Sequence, residues 1–422
     1  MSIKSLIRFG SIFILVISFF LFKCYFYFNT IKLIIFIILI ILIIAFYAFI
    51  KISKHFKRTG YSEEWHDLYG DKILNIPYFN DDNKIINTYK KGEINHRNDM
   101  GEINEGKDYD KNNRNYYDLF IPYSAIKRKN KYNGIFLFIH GGGWKNLKKE
   151  YISHLTIRYA KYGYITAQMN HTFLNKKSKH CSIFRIMDEI TSCLENIKLQ
   201  LIKLGFDKNK LELVIGGISS GAHLSLLYGY SMKNSPFPIK YLINYCGPLS
   251  LENIFWYKLE KNTPALENIE KVDIEKLIKE GKIKKIFENE LKLLEIMNLF
   301  IGNKFSNKDL KEMMNGRNIN INNNKFKDLN KIAKLCYPTT FINENSAPTL
   351  SIYGGIDSTV GILQYSHLKK LSEKLGNKVE LIYMKNGGHL LDDYNSLEGM
   401  NAIREIHYKI LNYAKIYFTS ED

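Results

Sequence analysis

Apolar and polar positions fall into three regimes along this chain. Up to residue 58 the positions are mostly apolar; from about 60 to 115 they are polar, rich in Asn, Asp and Lys, without sustained period. From 116 onward, short apolar runs alternate with amphipathic stretches. This third regime predicts strands at Tyr116–Ile121, Gly134–Ile139, Tyr164–Met169, Leu211–Ile215, Tyr241–Tyr245, Thr349–Tyr353 and Val379–Met384. The run at 134–139 (GIFLFI) is wholly apolar, as expected of a strand buried on both faces of a parallel sheet. Helices are predicted between the strands, at 149–162, 222–230, 364–374 and 402–417. Another is marked by Ile183, Ile186, Met187, Ile190, Leu194, Ile197 and Leu201, which recur at steps of three and four. Such alternation implies an α/β protein with a mostly parallel sheet and helices on both faces. It is interrupted from 249 to 345 by a charged, helix-prone stretch, read as an insertion after a core strand. The expected organisation is an anchor at 1–58, a polar linker at 59–115 that is partly disordered around Ile94–Arg114, a core in two parts at 116–248 and 346–422, and a helical cap between them.

The first regime reads as one or two transmembrane helices. Ile31–Ile50 is 20 residues long with a single charge, Lys32, near its start. At 1.5 Å per helical residue that spans the roughly 30 Å hydrocarbon core. Phe9–Phe22 is also uncharged, so a hairpin turning near 23–30 is the economical arrangement. Lys4 and Arg8 before an apolar run also suit a cleaved signal peptide, but the bulky Cys24-Tyr25-Phe26-Tyr27-Phe28 offers no small-residue cleavage site. Lys51, Lys54, Lys57 and Arg58 crowd the far boundary, which by the positive-inside rule places the remainder in the cytosol, at the endoplasmic reticulum or another internal membrane.

Composition narrows the picture only slightly. The net charge of +18, from 60 basic and 42 acidic residues, is carried by Lys dispersed among Asn, which fits a solvated surface. There is no Arg stripe or aromatic RNA-binding box, so no nucleic-acid partner is expected. Five cysteines without a CxxC pair indicate neither a disulfide framework nor a zinc site, so no metal is assigned. The sequon Asn170-His171-Thr172 is isolated, and nothing fixes the oligomeric state.

Chemistry concentrates at four loops. Gly217-Ile218-Ser219-Ser220-Gly221 lies between a predicted strand and a predicted helix, where a sharp turn flanked by small residues exposes a nucleophilic hydroxyl. Ser220 is excluded as nucleophile because its frame would need glycine where Ile218 and Ala222 stand. His140-Gly141-Gly142-Gly143-Trp144 follows the apolar strand; the amides of Gly142 and Gly143, with that of Ser220, are the expected oxyanion donors. Asp357 follows the strand at 349–353 and His389 the last strand, in the order serine, acid, histidine. Asp392 and Asp393 compete for the acid, and His367 and His407 for the base, although both histidines fall within predicted helices. Trp144 either shapes a substrate pocket or belongs to the core; His171, Cys181 and the other cysteines read as packing or surface residues.

HGGGW at 140–144, GISSGAHL at 217–224, GGIDSTV at 354–360 and GGH at 387–389 resemble the α/β-hydrolase superfamily, particularly its carboxylesterase and lipase-like branches. Ser-Gly-Ala-His after the nucleophile is also similar to isoprenylcysteine methylesterases and kynurenine formamidases. The resemblance implies the α/β-hydrolase fold, a catalytic triad of Ser219, Asp357 and His389, and cofactor-free acyl transfer through an acyl-serine. It departs from those branches at Ile218, where an acidic or polar residue is usual, and at Ser220, where Ala is common. The expected activity is hydrolysis of lipophilic or small carboxylic esters at a membrane. An amidase or formamidase and a catalytically silent binding protein are the alternatives.

Overall fold

The computed structural model describes residues 14–19, 21, 39–40, 42–43, 64–78, 115–175, 181–252, 256–260, 263, 266, 273–361, 363–391 and 397–419. The chain divides into two compact units, Met1–Ser62 and Glu63–Asp422. In the first, the described residues are helical, and no helix among the described residues is long and apolar enough to cross a membrane. Most of the expected spans Phe9–Phe22 and Ile31–Ile50 lies outside the described residues, as does the segment 94–114.

The second unit is built on an eight-stranded sheet. Its strands are β1 (Gly70–Pro77), β2 (Tyr116–Pro122), β3 (Asn133–Ile139), β4 (Ile165–Met169), β5 (Leu211–Ile218), β6 (Ile239–Tyr245), β7 (Thr349–Gly354) and β8 (Val379–Met384). They lie in the order β1-β2-β4-β3-β5-β6-β7-β8, with β1 and β2 antiparallel to their neighbours and all other pairs parallel. Side chains of the central strands point to opposite faces of the sheet, each covered by a core. Ile135, Leu137 and Ile139 of β3 face one, while Phe136 and Phe138 face the other. Helices α2 (Ile183–Lys203) and α3 (Ser220–Ser231) cover the first face. Helices α1 (Ser153–Lys161) and α5 (Leu397–Tyr417) cover the second, where Tyr159 stacks on Phe136 with ring centroids 5.1 Å apart. Burial of each such side chain contributes about 1.5–3 kcal/mol. Helix α4 (Leu363–Leu375) connects β7 to β8.

One element departs from the sequence reading. The polar stretch before residue 115 contributes β1, an edge strand with Asn75 at φ 54° and its pairing shifted between Ile73 and Ile76. Buried Asp118 holds that irregularity by accepting from the Asn75 amide at 2.8 Å, while its other oxygen takes Lys149 Nζ and Gln168 Nε2, each at 2.8 Å. The insertion between β6 and β7 contains helices, as expected, and also two short antiparallel strand pairs, Tyr257–Leu259 with Ile283–Lys285 and Met314–Asn315 with Asn318–Ile319.

Parallel pairing in register aligns the carboxyl ends of five strands. Ile139 of β3 pairs with Gly217 of β5, Ile218 with Tyr245 of β6, Tyr245 with Ile352 of β7, and Gly354 with Met384 of β8. The loops leaving these ends therefore gather at one edge of the sheet, where open α/β sheets bind ligands.

Candidate active site

Ser219 stands between β5 and α3 with φ 56° and ψ −122°. A non-glycine residue in the left-handed region costs about 1–3 kcal/mol and persists only where its surroundings impose it. Here its amide donates to the Tyr245 carbonyl at 2.7 Å, and its carbonyl accepts from the His223 amide at 3.0 Å. The turn also presses against the end of β3: a Cβ on Gly221 would lie 2.1 Å from the Ile139 carbonyl oxygen. Glycine is required there because the backbones meet directly.

His389, after β8, brings Nε2 to 2.9 Å from Ser219 Oγ. Its Nδ1 lies 2.8 Å from Asp357 Oδ2. The imidazole is 18 % exposed and the carboxylate 1 %, so solvent reaches the pair through the histidine. Asp357 Oδ1 accepts from the amides of Thr359 and Val360 at 2.7 and 2.9 Å. A buried carboxylate needs such partners, and with both oxygens engaged its orientation is fixed. The loops bearing the acid and the histidine touch through glycine, since a Cβ on Gly354 would lie 2.3 Å from the Gly387 carbonyl oxygen.

The loop after β3 runs beside the serine. A Cβ on Gly141 would come within 3.2 Å of Ser219 Cβ. Gly142, Gly143 and Trp144 follow with φ of 110°, 60° and 63°. The Gly142 carbonyl accepts from the amides of Lys145 and Asn146, and that of Trp144 from Leu174, which pins the turn. Beside Gly143 a side chain would meet nothing within 4 Å, so the loop has an open face there. Ser220 is buried and begins α3, where helix amides point outward without intrahelical partners.

Trp144 is a core residue with a specific partner. Its Nε1–H donates to His223 Nδ1 at 3.2 Å, and its ring meets Phe300 of the insertion edge-on, with centroids 4.8 Å apart. His223 Nε2–H in turn donates to the Cys336 carbonyl at 2.8 Å. Burial lowers the His223 pKa to about 4, an effect that outweighs the bond to Cys336, so the imidazole is neutral at pH 7. His223 thus ties the turn after β3, the first turn of α3 and the end of the insertion to one ring.

The rival histidines are placed elsewhere. His407 lies on α5, with Nδ1 2.8 Å from Tyr159 Oη and its pKa lowered to about 3, chiefly by burial. His367 lies on α4, and burial lowers its pKa too. Asp392 and Asp393 lie outside the described residues. His171 is buried and stacks on His140, with centroids 4.7 Å apart. Cys181 is half-buried, whereas Cys193, Cys246 and Cys336 are buried. Two residues of this region have no site role in the sequence reading. His223 stands there only within the Ser-Gly-Ala-His run, one helical turn after Ser219, and Cys246, read as a packing or surface residue, follows β6 with φ 51°.

Among solved structures, esterase B from Lactobacillus rhamnosis is 13% identical with a TM-score of 0.50, over 89% of this chain and 97% of that one. A truncated carbohydrate esterase from gut microbiota is 15% identical with a TM-score of 0.49, over 82% and 98% of the two chains. The butyrate-bound esterase Est2 from Thermogutta terrifontis is 14% identical with a TM-score of 0.45, over 73% and 91%. At such identities the likeness to esterase B speaks for the fold. Among curated proteins none matches this chain. The family model described as BD-FAE matches residues 118–375, more than half of the chain, from within β2 to the end of α4. By that match the chain belongs to the BD-FAE family, within the carboxylesterase branch of the α/β-hydrolases.

Proposed function

We propose that the ester hydrolysis of this branch is carried out here by Ser219, His389 and Asp357, with the amides of Gly142, Gly143 and Ser220 as oxyanion donors. Ser219 Oγ attacks the acyl carbon while His389 Nε2 takes its proton across 2.9 Å. Nδ1–H, held by Asp357 Oδ2 at 2.8 Å, sets the tautomer that leaves Nε2 free to accept. The negative charge that develops on the acyl oxygen falls beside the turn after β3, where fixed amide dipoles stabilise it without reorganising. His389 then returns the proton to the leaving alcohol. Water repeats the sequence on the acyl-serine and releases the acid.

One observation carries this reading: the unbroken hydrogen-bond line from the Ser219 hydroxyl through both ring nitrogens of His389 to Asp357. The substrate we infer is a lipophilic or small acyl ester met at a membrane surface. What supports it is the apolar run Ile31–Ile50, long enough to span a bilayer, and an insertion that reaches Trp144 beside the site through Phe300. The basic residues at 51–58 support a cytosolic catalytic part. Turnover of aryl esters of graded acyl length, set against formanilides, tests the activity. Faster formanilide cleavage would assign the site to amides instead. Protease treatment of sealed microsomes tests the orientation, and a protected carboxyl-terminal part would reverse it.

A further inference from the structure

Strand order places the loop after β6 between the loops that carry Ser219 and Asp357. Cys246 is the first residue of that loop, wholly buried, its left-handed backbone fixed by donation from its amide to the Ile352 carbonyl at 2.9 Å. One ligand atom from each of Cys246, Asp357 and His389 lies within 4.8 Å of the other two. A tetrahedral centre with metal–sulfur bonds of about 2.3 Å and metal–nitrogen or metal–oxygen bonds of about 2.1 Å sets its ligand atoms roughly 3.4–3.6 Å apart. The largest separation therefore exceeds such a geometry by at most about 1.4 Å, to be closed by rotation of the Cys246 thiol and the His389 ring while Asp357 stays held by the Thr359 and Val360 amides. We propose that Cys246, Asp357 and His389 form a binding site for a soft divalent cation, Zn²⁺ or Cd²⁺, whose occupation switches off the hydrolytic site. This rests on the assignment of His389 as the base.

The donor set suits such an ion. A thiolate and an imidazole favour zinc or cadmium over magnesium or calcium, and one carboxylate completes a three-ligand set with water as the fourth. Binding releases one proton, from the Cys246 thiol. The imidazole stays neutral: the metal takes Nδ1, and the proton formerly on Nδ1 is then carried by Nε2. The bond from Nδ1–H to Asp357 Oδ2 is exchanged for metal–nitrogen and metal–oxygen bonds. With Nε2 protonated, His389 has no lone pair to accept the Ser219 proton, so inhibition follows from the tautomer alone. Of the three ligands His389 alone reaches solvent, at 18 % exposure, so the ion enters past its ring.

The test titrates the full-length protein with Zn²⁺ alone and with Cd²⁺ alone, reading two signals. The first is aryl-ester turnover, expressed relative to each variant's own metal-free rate. The second is the ultraviolet thiolate-to-cadmium charge-transfer band, taken as a difference between wild type and variant so that the remaining cysteines cancel. We expect both ions to inhibit reversibly, with relief by a chelator. Cys246→Ala and the near-isosteric Cys246→Ser are expected to raise the half-inhibitory concentration by about 100-fold, as loss of one soft ligand implies, and to lose the difference band. Equal inhibition and an unchanged band in both variants would overturn the site. A band that depends on Cys246 without inhibition would overturn the role given to His389 as a ligand. Should the metal-free protein turn over no ester, the catalytic assignment fails, and the band still decides for or against metal binding at Cys246.

Discussion

Replacing His223 by Leu probes the joint between the turn after β3, α3 and the insertion. The substitution keeps the apolar bulk near Phe300 but leaves the Trp144 Nε1–H and the Cys336 carbonyl buried without partners. Each orphaned group costs about 1–3 kcal/mol, so a loss of about 2–6 kcal/mol in unfolding free energy is expected at pH 7. A second, independent signature comes from titration. The imidazole has a pKa of about 4 when folded and 6.5 as a reference, so the folded state refuses a proton that the unfolded chain accepts. Its stabilising effect is complete above about pH 6.5 and is lost as pH falls through about 4; the 2.5-unit gap corresponds to about 3 kcal/mol. His407, also depressed, to about 3, acts in the same direction in both proteins and cancels in the difference. Urea unfolding of the full-length protein and of His223→Leu at pH 7, 5.5 and 4 measures both quantities. The gap between the two proteins should narrow by about 3 kcal/mol from pH 7 to pH 4. Parallel pH dependence would refute the neutral, doubly bonded imidazole. Turnover should fall in kcat more than KM changes, up to the roughly 10²–10³-fold that loss of one oxyanion donor costs.

Three further outcomes follow from the same geometry. Ser219→Gly removes the positive-φ strain as well as the nucleophile, so it should unfold at higher urea concentration than Ser219→Ala, by about 1–3 kcal/mol, while both lack turnover; equal stabilities would show that the turn is unstrained. Asp357→Asn retains volume but disturbs the His389 tautomer and should lower kcat by about 10⁴-fold, and a loss of less than tenfold would remove the acid role. Asp118→Asn leaves buried Lys149 with only the exposed Glu150 carboxylate as counter-charge and should cost about 3 kcal/mol, the low end for breaking a buried pair, in urea unfolding without changing KM, whereas a neutral effect would mean that Glu150 suffices.

What could be read from the chain alone follows how local each signal is. The run Phe136 to Ile139 marks its own burial, and GISSG announces a strand–turn–helix because its glycines are needed within five residues. That Ser219, Asp357 and His389 meet was legible for a related reason: each follows a strand whose period is visible, and parallel topology then places strand ends together. β1 escaped because its exposed positions mix polar Lys72 and Asn75 with apolar Leu74, and the irregularity at Asn75 breaks the alternation of an edge strand. The sequence assigns neither His223, within GISSGAHL, nor Cys246, read as packing or surface, a place at the site, for want of any local mark of their partners. The partners that give them meaning, Trp144, Cys336, Asp357 and His389, are separated from them by tens of residues and meet only once the insertion packs and the sheet is in register.

The central claim is that Ser219 is a nucleophile activated by His389. Treating the full-length protein with a fluorophosphonate and mapping the adduct by mass spectrometry tests it most directly. The expected result is a single phosphonyl group on Ser219, absent in Ser219→Ala and slowed by several orders of magnitude in His389→Ala. Labelling that falls on another residue, or that persists at the wild-type rate without His389, would contradict it.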